Sequence, residues 1–334
     1  MATPKLPFGL VEEVSQSSRS SESSDVAVDA EAMELLLQTI QASKLDVKIN
    51  TAAHLISRSI VVLTETRPAA YDDFFTDEDW MALRRRFDDR RLKTDDALWA
   101  TLRTEAKDLL NAKSNGAGYY AKVEEPATLE RVRIAGVLNN LFLLLDTAKP
   151  DCKQHEATWS SKLLHPYFLM TPQGMKWSFD NRTRYGAKRP DYFVYDSIGR
   201  ALASFEVKTH FVSSVEQRAD VFRTVSNCVD HIIADAHEYS SVGTQAKICA
   251  TFSGREGTIF EVCLHRGIFL AVQIGTWTVP VSLNWGRETE IAMAIATGQA
   301  LMHRLLEFKQ RTDGSRPRAD PKKRPSCLLP QTPA

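Results

Sequence analysis

The sequence predicts an α/β protein, a mixed β-sheet flanked by helices and preceded by an N-terminal helical region. Three observations carry that expectation. Residues 31–148 place apolar side chains three and four apart. From residue 153 onward, short runs of alternating apolar residues lie between turn signals. A long amphipathic segment, 213–239, separates one group of these strands from the next, and the order helix, three strands, helix, strands gives a mixed sheet with helices packed on it.

Helices are expected in MELLLQTI (33–40), AAHLISRSIVVL (52–63), EDWMALRRRF (78–87), DDALWATLRTEAKDLL (95–110) and PATLERVRIAGVLNNLFLLLD (126–146). Pro126 suits the first turn of the last of these, and Asn115-Gly116-Ala117-Gly118 marks the loop before it. The RRRFDDRR cluster, 84–91, reads as a solvated, self-paired helix face because aspartates interleave its bases. HEATWSSKLLHPYF (155–168) suggests a helix, MKWSFD (175–180) a strand and 189–208 a hairpin. In 213–239, Val215, Ala219, Phe222, Val225, Val229, Ile232 and Ala236 recur at helical spacing. AKICATF (246–252), GTIFEVCL (257–264), GIFLAVQI (267–274) and TVPVSL (278–283) read as strands, and a last helix spans about 287–309. Residues 1–30 (Ser-rich) and 311–334 (Pro-rich and basic) are expected to be disordered, leaving a helical region to 150 and a second unit over 151–310.

The chain has 334 residues, 43% of them apolar and 25% charged, and its formal net charge is zero. Nothing global points to nucleic acid or membrane, so any such partner must be read from local charge. Its five cysteines, 152, 228, 249, 263 and 327, form neither a CxxC pair nor a zinc-spaced group, and read as buried thiols of a reducing compartment. No secretory signal is expected, and LNNLFLLLD (138–146) reads as a core helix rather than a membrane span. An intracellular protein follows, with PKKRP (321–325) as a nuclear-import run or a solvated basic tail. Phosphate-cradling, dinucleotide-binding and GxSxG motifs do not occur, which removes support for kinase, dehydrogenase and serine-hydrolase readings.

The segment RPDYFVYDSIGRALASFEVKTH, 189–210, concentrates the chemistry. With its turn centred on Ile198-Gly199, paired residue numbers sum to 397 and Asp191 falls opposite Glu206. A turn centred one residue earlier sets Asp191 against Ser204, with Glu206 still a neighbour. Glu206 and Lys208, two apart on a strand, share a face. Opposed like charges are destabilising. Lys208 alone can offset them as a structural ion pair, and a Mg²⁺ ion can do so better, because it binds through one or two carboxylates. A lysine beside such a metal can orient an attacking water or neutralise charge on a phosphate.

Pro190-Asp191, fourteen intervening residues and Glu206-Val207-Lys208 resemble the PD-(D/E)xK signature of the restriction-endonuclease-like nuclease superfamily. The resemblance implies an αβββαβ core with the aspartate at the start of its second strand and E-x-K on its third. It implies a metal-dependent nuclease in which Asp191, Glu206 and the Val207 carbonyl hold Mg²⁺ or Mn²⁺ and Lys208 positions the water. Many members add a glutamate on the first core helix, and Glu156 occupies that place; Gln217 approximates a glutamine that some relatives carry after E-x-K. The context is similar to nuclease-like domains of fungal and oomycete proteins, including some Crinkler-type effectors. Nucleic acid, DNA before RNA, is the expected partner. Lys176, Arg182, Arg184, Lys188 and Arg189 are the candidate contacts, Arg218 and Arg223 either extend that surface or are the ordinary charges of a helix face, and the aromatics among them, Trp177, Phe179 and Tyr185, are expected to turn into the core. His155 and His210 read as half-buried histidines before they read as contacts to the metal shell or a phosphate. The other reading is a binding or effector module that keeps the fold without cleavage.

Overall fold

In the computed structural model, the residues described are 55–144 except 56, 57, 59, 73, 74 and 124, then 156–178, 190–208, 213–239, 246–265, 268–281 and 288–313. Among them, seven strands form one mixed sheet in the order β1-β7-β6-β5-β4-β3-β2. The strands are β1 (Ile60–Leu63), β2 (Met175–Ser178), β3 (Tyr192–Asp196), β4 (Ala201–Lys208), β5 (Ala246–Ser253), β6 (Glu256–His265) and β7 (Ile268–Thr278). The helices are α1 (Asp77–Arg85), α2 (Asp96–Ser114), α3 (Leu129–Leu144), α4 (Glu156–Leu164), α5 (Ser214–Glu238) and α6 (Glu288–Thr312). No helix among the described residues is long and apolar enough to cross a membrane.

Strands β2, β3 and β4 run as an antiparallel meander. The chain then crosses over through α5, and β5 lies parallel to β4, as a helical crossover permits and a tight turn does not. The order α4-β2-β3-β4-α5-β5 is therefore helix, three strands, helix, strand. α5 starts at a reciprocal cap, in which Ser213 accepts from the Glu216 N–H and Glu216 accepts from the Ser213 N–H. Its Phe222, Val225, Val229, Ile232 and Ala236 are buried as their spacing predicts, whereas Val215, in the first turn, is 65% exposed. Cys228 of α5 touches the Ser204 hydroxyl of β4, which puts α5 on the face carrying Ser204, Glu206 and Lys208. The opposite face, with Phe205 and Val207, belongs to α4 and α6. There Tyr192, paired with Phe205, bonds Ser160 of α4, and Trp277 of β7 donates to the Ala294 carbonyl of α6. Gly298 of α6 allows that close approach, since a Cβ there would lie 2.9 Å from the Trp277 ring.

Several sequence expectations need correction. Residues 60–63, expected to continue a helix, form β1, which pairs in parallel with β7. One hydrophobic core accordingly runs through elements on both sides of residue 150, from Leu55 to Phe308. The 84–91 cluster is a solvated face only in part: Arg85, Asp88, Asp89 and Arg91 are exposed. Arg84 is buried and donates to the Gln273 carbonyl, and Arg90 reaches the buried Glu261. Arg91 pairs locally, with Asp88, and reaches Glu65. Pro126 precedes the helix it was expected to open, which begins at Leu129. TVPVSL adds no strand in its described part: β7 ends at Thr278, and Val279, Pro280 and Val281 lie beyond it. Residues 33–40, the PKKRP run, Cys152, Cys327, His155 and His210 fall outside the described residues, while Cys228, Cys249 and Cys263 are buried thiols.

Under α5 lies a second charged group, where Lys247 of β5 pairs with Asp235 of α5, both almost fully buried. His231, 5% exposed, packs against Phe193. Burial, reinforced by the Lys247 charge, pulls its imidazole from 6.5 down to about 3. The unfolded chain thus binds the additional proton between those values, and the contribution of His231 to stability falls as pH drops from about 6.5 towards 3. Relative to wild type, His231→Gln is expected to gain about 1.4 kcal/mol per pH unit across that window. Urea titrations at several pH values check this, and a pH-independent difference would refute it.

Candidate active site

The site is built by a hairpin whose register brings its charges together. The turn glycine, Gly199, has φ +84°, and Asp196 caps the turn by accepting from the Ile198 and Arg200 N–H groups. At the far end the ladder reads Tyr192↔Phe205, Phe193↔Ser204 and Val194↔Ala203, all summing to 397. A register irregularity between Val194 and Tyr195 absorbs the change near the turn. The ladder stops one residue short of Asp191, which forms a bend. Its Oδ2 accepts the Val207 N–H at 2.6 Å, so the carboxylate clips the mouth of the hairpin shut.

Glu206 is only 8% exposed. Two cations meet its Oε1, Lys208 Nζ at 3.2 Å and Arg223 Nη2 at 2.6 Å. The same Arg223 nitrogen lies 2.6 Å from Asp220 Oδ1, one turn earlier on α5. A carboxylate this buried is costly without such partners. The next strand continues the polar row, with Thr251 beside Glu206 and Ser253 beside Lys208. The Thr251 hydroxyl is buried and has no hydrogen-bond partner among the described residues.

α4 fixes the same end of the sheet from the other face. Ser160 bonds the Tyr192 hydroxyl at 2.6 Å, next to Asp191. Trp159 donates to the Gly254 carbonyl, and the Gly254 N–H bonds the Lys208 carbonyl. Burial holds the Tyr192 phenol above its usual range; the Ser160 bond lowers it and the Asp191 charge raises it. The ring therefore serves as a neutral anchor. Glu156 begins α4, one turn before Trp159 and Ser160.

Asp191, Glu206, Val207 and Lys208 are thus brought together as the spacing implied. Lys176 sits on β2 opposite Tyr195, exposed at the sheet edge. Trp177 turns inward and stacks on Phe168 at 4.0 Å, as expected of it. Gln217 lies in the first turn of α5, half-buried. Arg182, Arg184, Lys188 and Arg189 lie outside the described residues, with Phe179 and Tyr185. Arg223 has its guanidinium engaged by Glu206 and Asp220. Asp220 was missed altogether; its spacing of three from Arg223 was the available signal.

Asp191, Glu206 and the Val207 carbonyl are hard oxygen donors of the kind Mg²⁺ and Mn²⁺ take. Glu206 already draws two positive groups, and the orphaned Thr251 hydroxyl beside it is a place for a ligand oxygen or water. The residues present fit a divalent cation. Among the described residues, however, no three His, Cys, Asp or Glu side chains converge as a metal-binding group, so backbone and water would complete the shell. No family model, curated protein or solved structure matches the chain.

Proposed function

We propose that the chain is a metal-dependent nuclease that hydrolyses phosphodiester bonds, with DNA placed before RNA as substrate by the resemblance of its hairpin. The observation that carries the reading is the meeting of Asp191, Glu206 and Lys208 at one strand end, with two cations on a buried carboxylate. Asp191 and Glu206, with the Val207 carbonyl, would hold Mg²⁺ or Mn²⁺, and Glu156 would support that shell. When bound, the ion supplies positive charge to the phosphate and acidifies water.

The chain's own groups do the rest. The Val207 N–H fixes the Asp191 carboxylate in advance, so little reorganisation is needed when charge develops. Lys208, tethered to Glu206 at 3.2 Å, orients the attacking water and faces the charge building on the phosphate. The reading is tested by incubating the protein with single- and double-stranded DNA and with RNA, in Mg²⁺, Mn²⁺ or EDTA. Metal-dependent cleavage suppressed by EDTA is the expected result, and equal backgrounds in all three would overturn it.

The bases at Lys176, Arg182, Arg184, Lys188 and Arg189 are proposed to hold the phosphate backbone. Replacing Arg182 and Arg184 together by alanine should weaken DNA binding and flatten its salt dependence, each lost phosphate contact lowering the log–log slope by about 0.9 for duplex DNA. Fluorescence anisotropy at several salt concentrations measures this; an unchanged slope would remove these two arginines from the interface.

One observation favours a non-cleaving binding module. Arg223 and the Val207 N–H satisfy both acids without any metal. In that reading Asp191→Ala costs stability and nothing else, and cleavage is absent from wild type.

A further inference from the structure

Arg223 places a single guanidinium nitrogen between two carboxylates, 2.6 Å from Glu206 Oε1 and 2.6 Å from Asp220 Oδ1. Those oxygens are then at most 5.2 Å apart, the sum of the two distances. Glu206 therefore carries two cations before any metal arrives, and one of them has a second seat ready. Lys208 belongs to the same strand as Glu206. Arg223 sits on a different element, α5, with its side chain 30% exposed, while Asp220 is 15% exposed and lies three residues earlier on the same helix. The Thr224 hydroxyl, bonded to the Asp220 carbonyl, further ties that turn of the helix.

We propose that Arg223 and Asp220 form a counter-ion gate that sets the metal affinity of the site: Arg223 competes with the divalent ion for Glu206, and Asp220 receives Arg223 when the ion enters. The proposal rests on the nuclease reading of Asp191 and Glu206. Neither residue is catalytic; both act through Glu206. A cation on Oε1 must be displaced or repelled by an incoming divalent ion, so the resting pair lowers apparent affinity. Asp220 reduces that penalty because it keeps half of the Arg223 interaction after displacement. Removing the competitor and removing its alternative seat must therefore shift affinity in opposite directions. A purely structural role for the pair predicts two shifts of the same sign, or none.

The full chain is titrated with Mn²⁺ by calorimetry, as wild type, Arg223→Gln, Arg223→Lys and Asp220→Asn, and circular dichroism confirms that each variant is folded. Arg223→Gln is expected to bind Mn²⁺ about tenfold more tightly, a factor equivalent to 1.4 kcal/mol. Asp220→Asn is expected to bind it several-fold more weakly, about threefold or more. Arg223→Lys, which keeps the charge, should stay near wild type. Shifts of the same sign in Arg223→Gln and Asp220→Asn, or affinities within twofold of wild type in both, would overturn the gate while leaving a metal-binding site in place. Binding by Arg223→Gln when wild type shows none would support the gate in its strongest form. Absence of Mn²⁺ binding in all four proteins would overturn the nuclease reading, and the gate with it.

Discussion

Asp191→Asn is expected to lose phosphodiester cleavage by about a hundredfold or more, the scale on which removal of one group that organises transition-state charge acts. The substitution is chosen for what it preserves. Asparagine keeps a side-chain oxygen to accept the Val207 N–H, so the clip across the hairpin mouth survives. A hydrogen bond to a charged acceptor stabilises by about 1.5–3 kcal/mol and a neutral one by about 0.5–1.5, so the fold should lose about 1 kcal/mol. Asp191→Ala removes the acceptor as well. Val207 is fully buried, and an unpaired N–H there costs about 1–3 kcal/mol. The two variants thus divide the charge from the hydrogen bond. Equal loss of cleavage with unequal loss of stability supports a site that works through the Asp191 charge. Full activity in Asp191→Asn would remove Asp191 from the chemistry.

The largest expected effect on stability lies away from this site. Glu261 of β6 is 2% exposed, with Arg90 Nη1 at 2.9 Å from Oε1 and Arg304 Nη2 and Nε at 2.6 and 3.0 Å from Oε2. It joins the turn after α1 and the helix α6 to the sheet. Glu261→Ala would leave Arg90 partly buried without that acid and Arg304 with Glu307 alone, and removing one partner of such a cluster costs about 3–5 kcal/mol. Domains of this kind have only about 5–15 kcal/mol of stability, so urea denaturation should show a much lower midpoint. The triple variant in which Glu261, Arg90 and Arg304 all become leucine or methionine should recover most of the loss, because desolvation of all three charges is relieved together. A Glu261→Ala unfolding free energy within about 1 kcal/mol of wild type would mean that water reaches the cluster and screens it.

The parts of this molecule that depend on local chemistry were legible in its sequence. Period-two alternation and the glycine at 199 left two registers, both of which group Asp191, Glu206 and Lys208, and the ladder takes the one whose partners sum to 397. α5 followed from its apolar spacing, and β4, β5 and β6 from alternation between turns. Parts set by distant partners were not legible. Ile60–Leu63 is four apolar residues with no period of its own, and its partner β7 lies some two hundred residues on. The arginines of 84–91 carried no sign that Glu261 and the Gln273 carbonyl would be packed beneath them. TVPVSL alternates well enough, yet the described chain leaves the ladder at Thr278, two residues before a proline that cannot donate to it. At the site itself the sequence indicated the strand residues and missed Asp220 and the true partner of Arg223, because helix-to-strand contacts depend on how α5 is rotated over β4.

The most direct test of the central claim is thermal stability as a function of Mg²⁺ and Mn²⁺ concentration, for wild type and Asp191→Asn. A ligand that binds only the folded state raises the melting temperature with its concentration, by RT ln(1 + [L]/Kd) in free energy. The nuclease reading predicts a metal-dependent rise in wild type that is lost or strongly reduced in Asp191→Asn. Identical, metal-insensitive curves for the two proteins would contradict it and leave Asp191, Glu206, Lys208 and Arg223 as a structural ion cluster in a binding module.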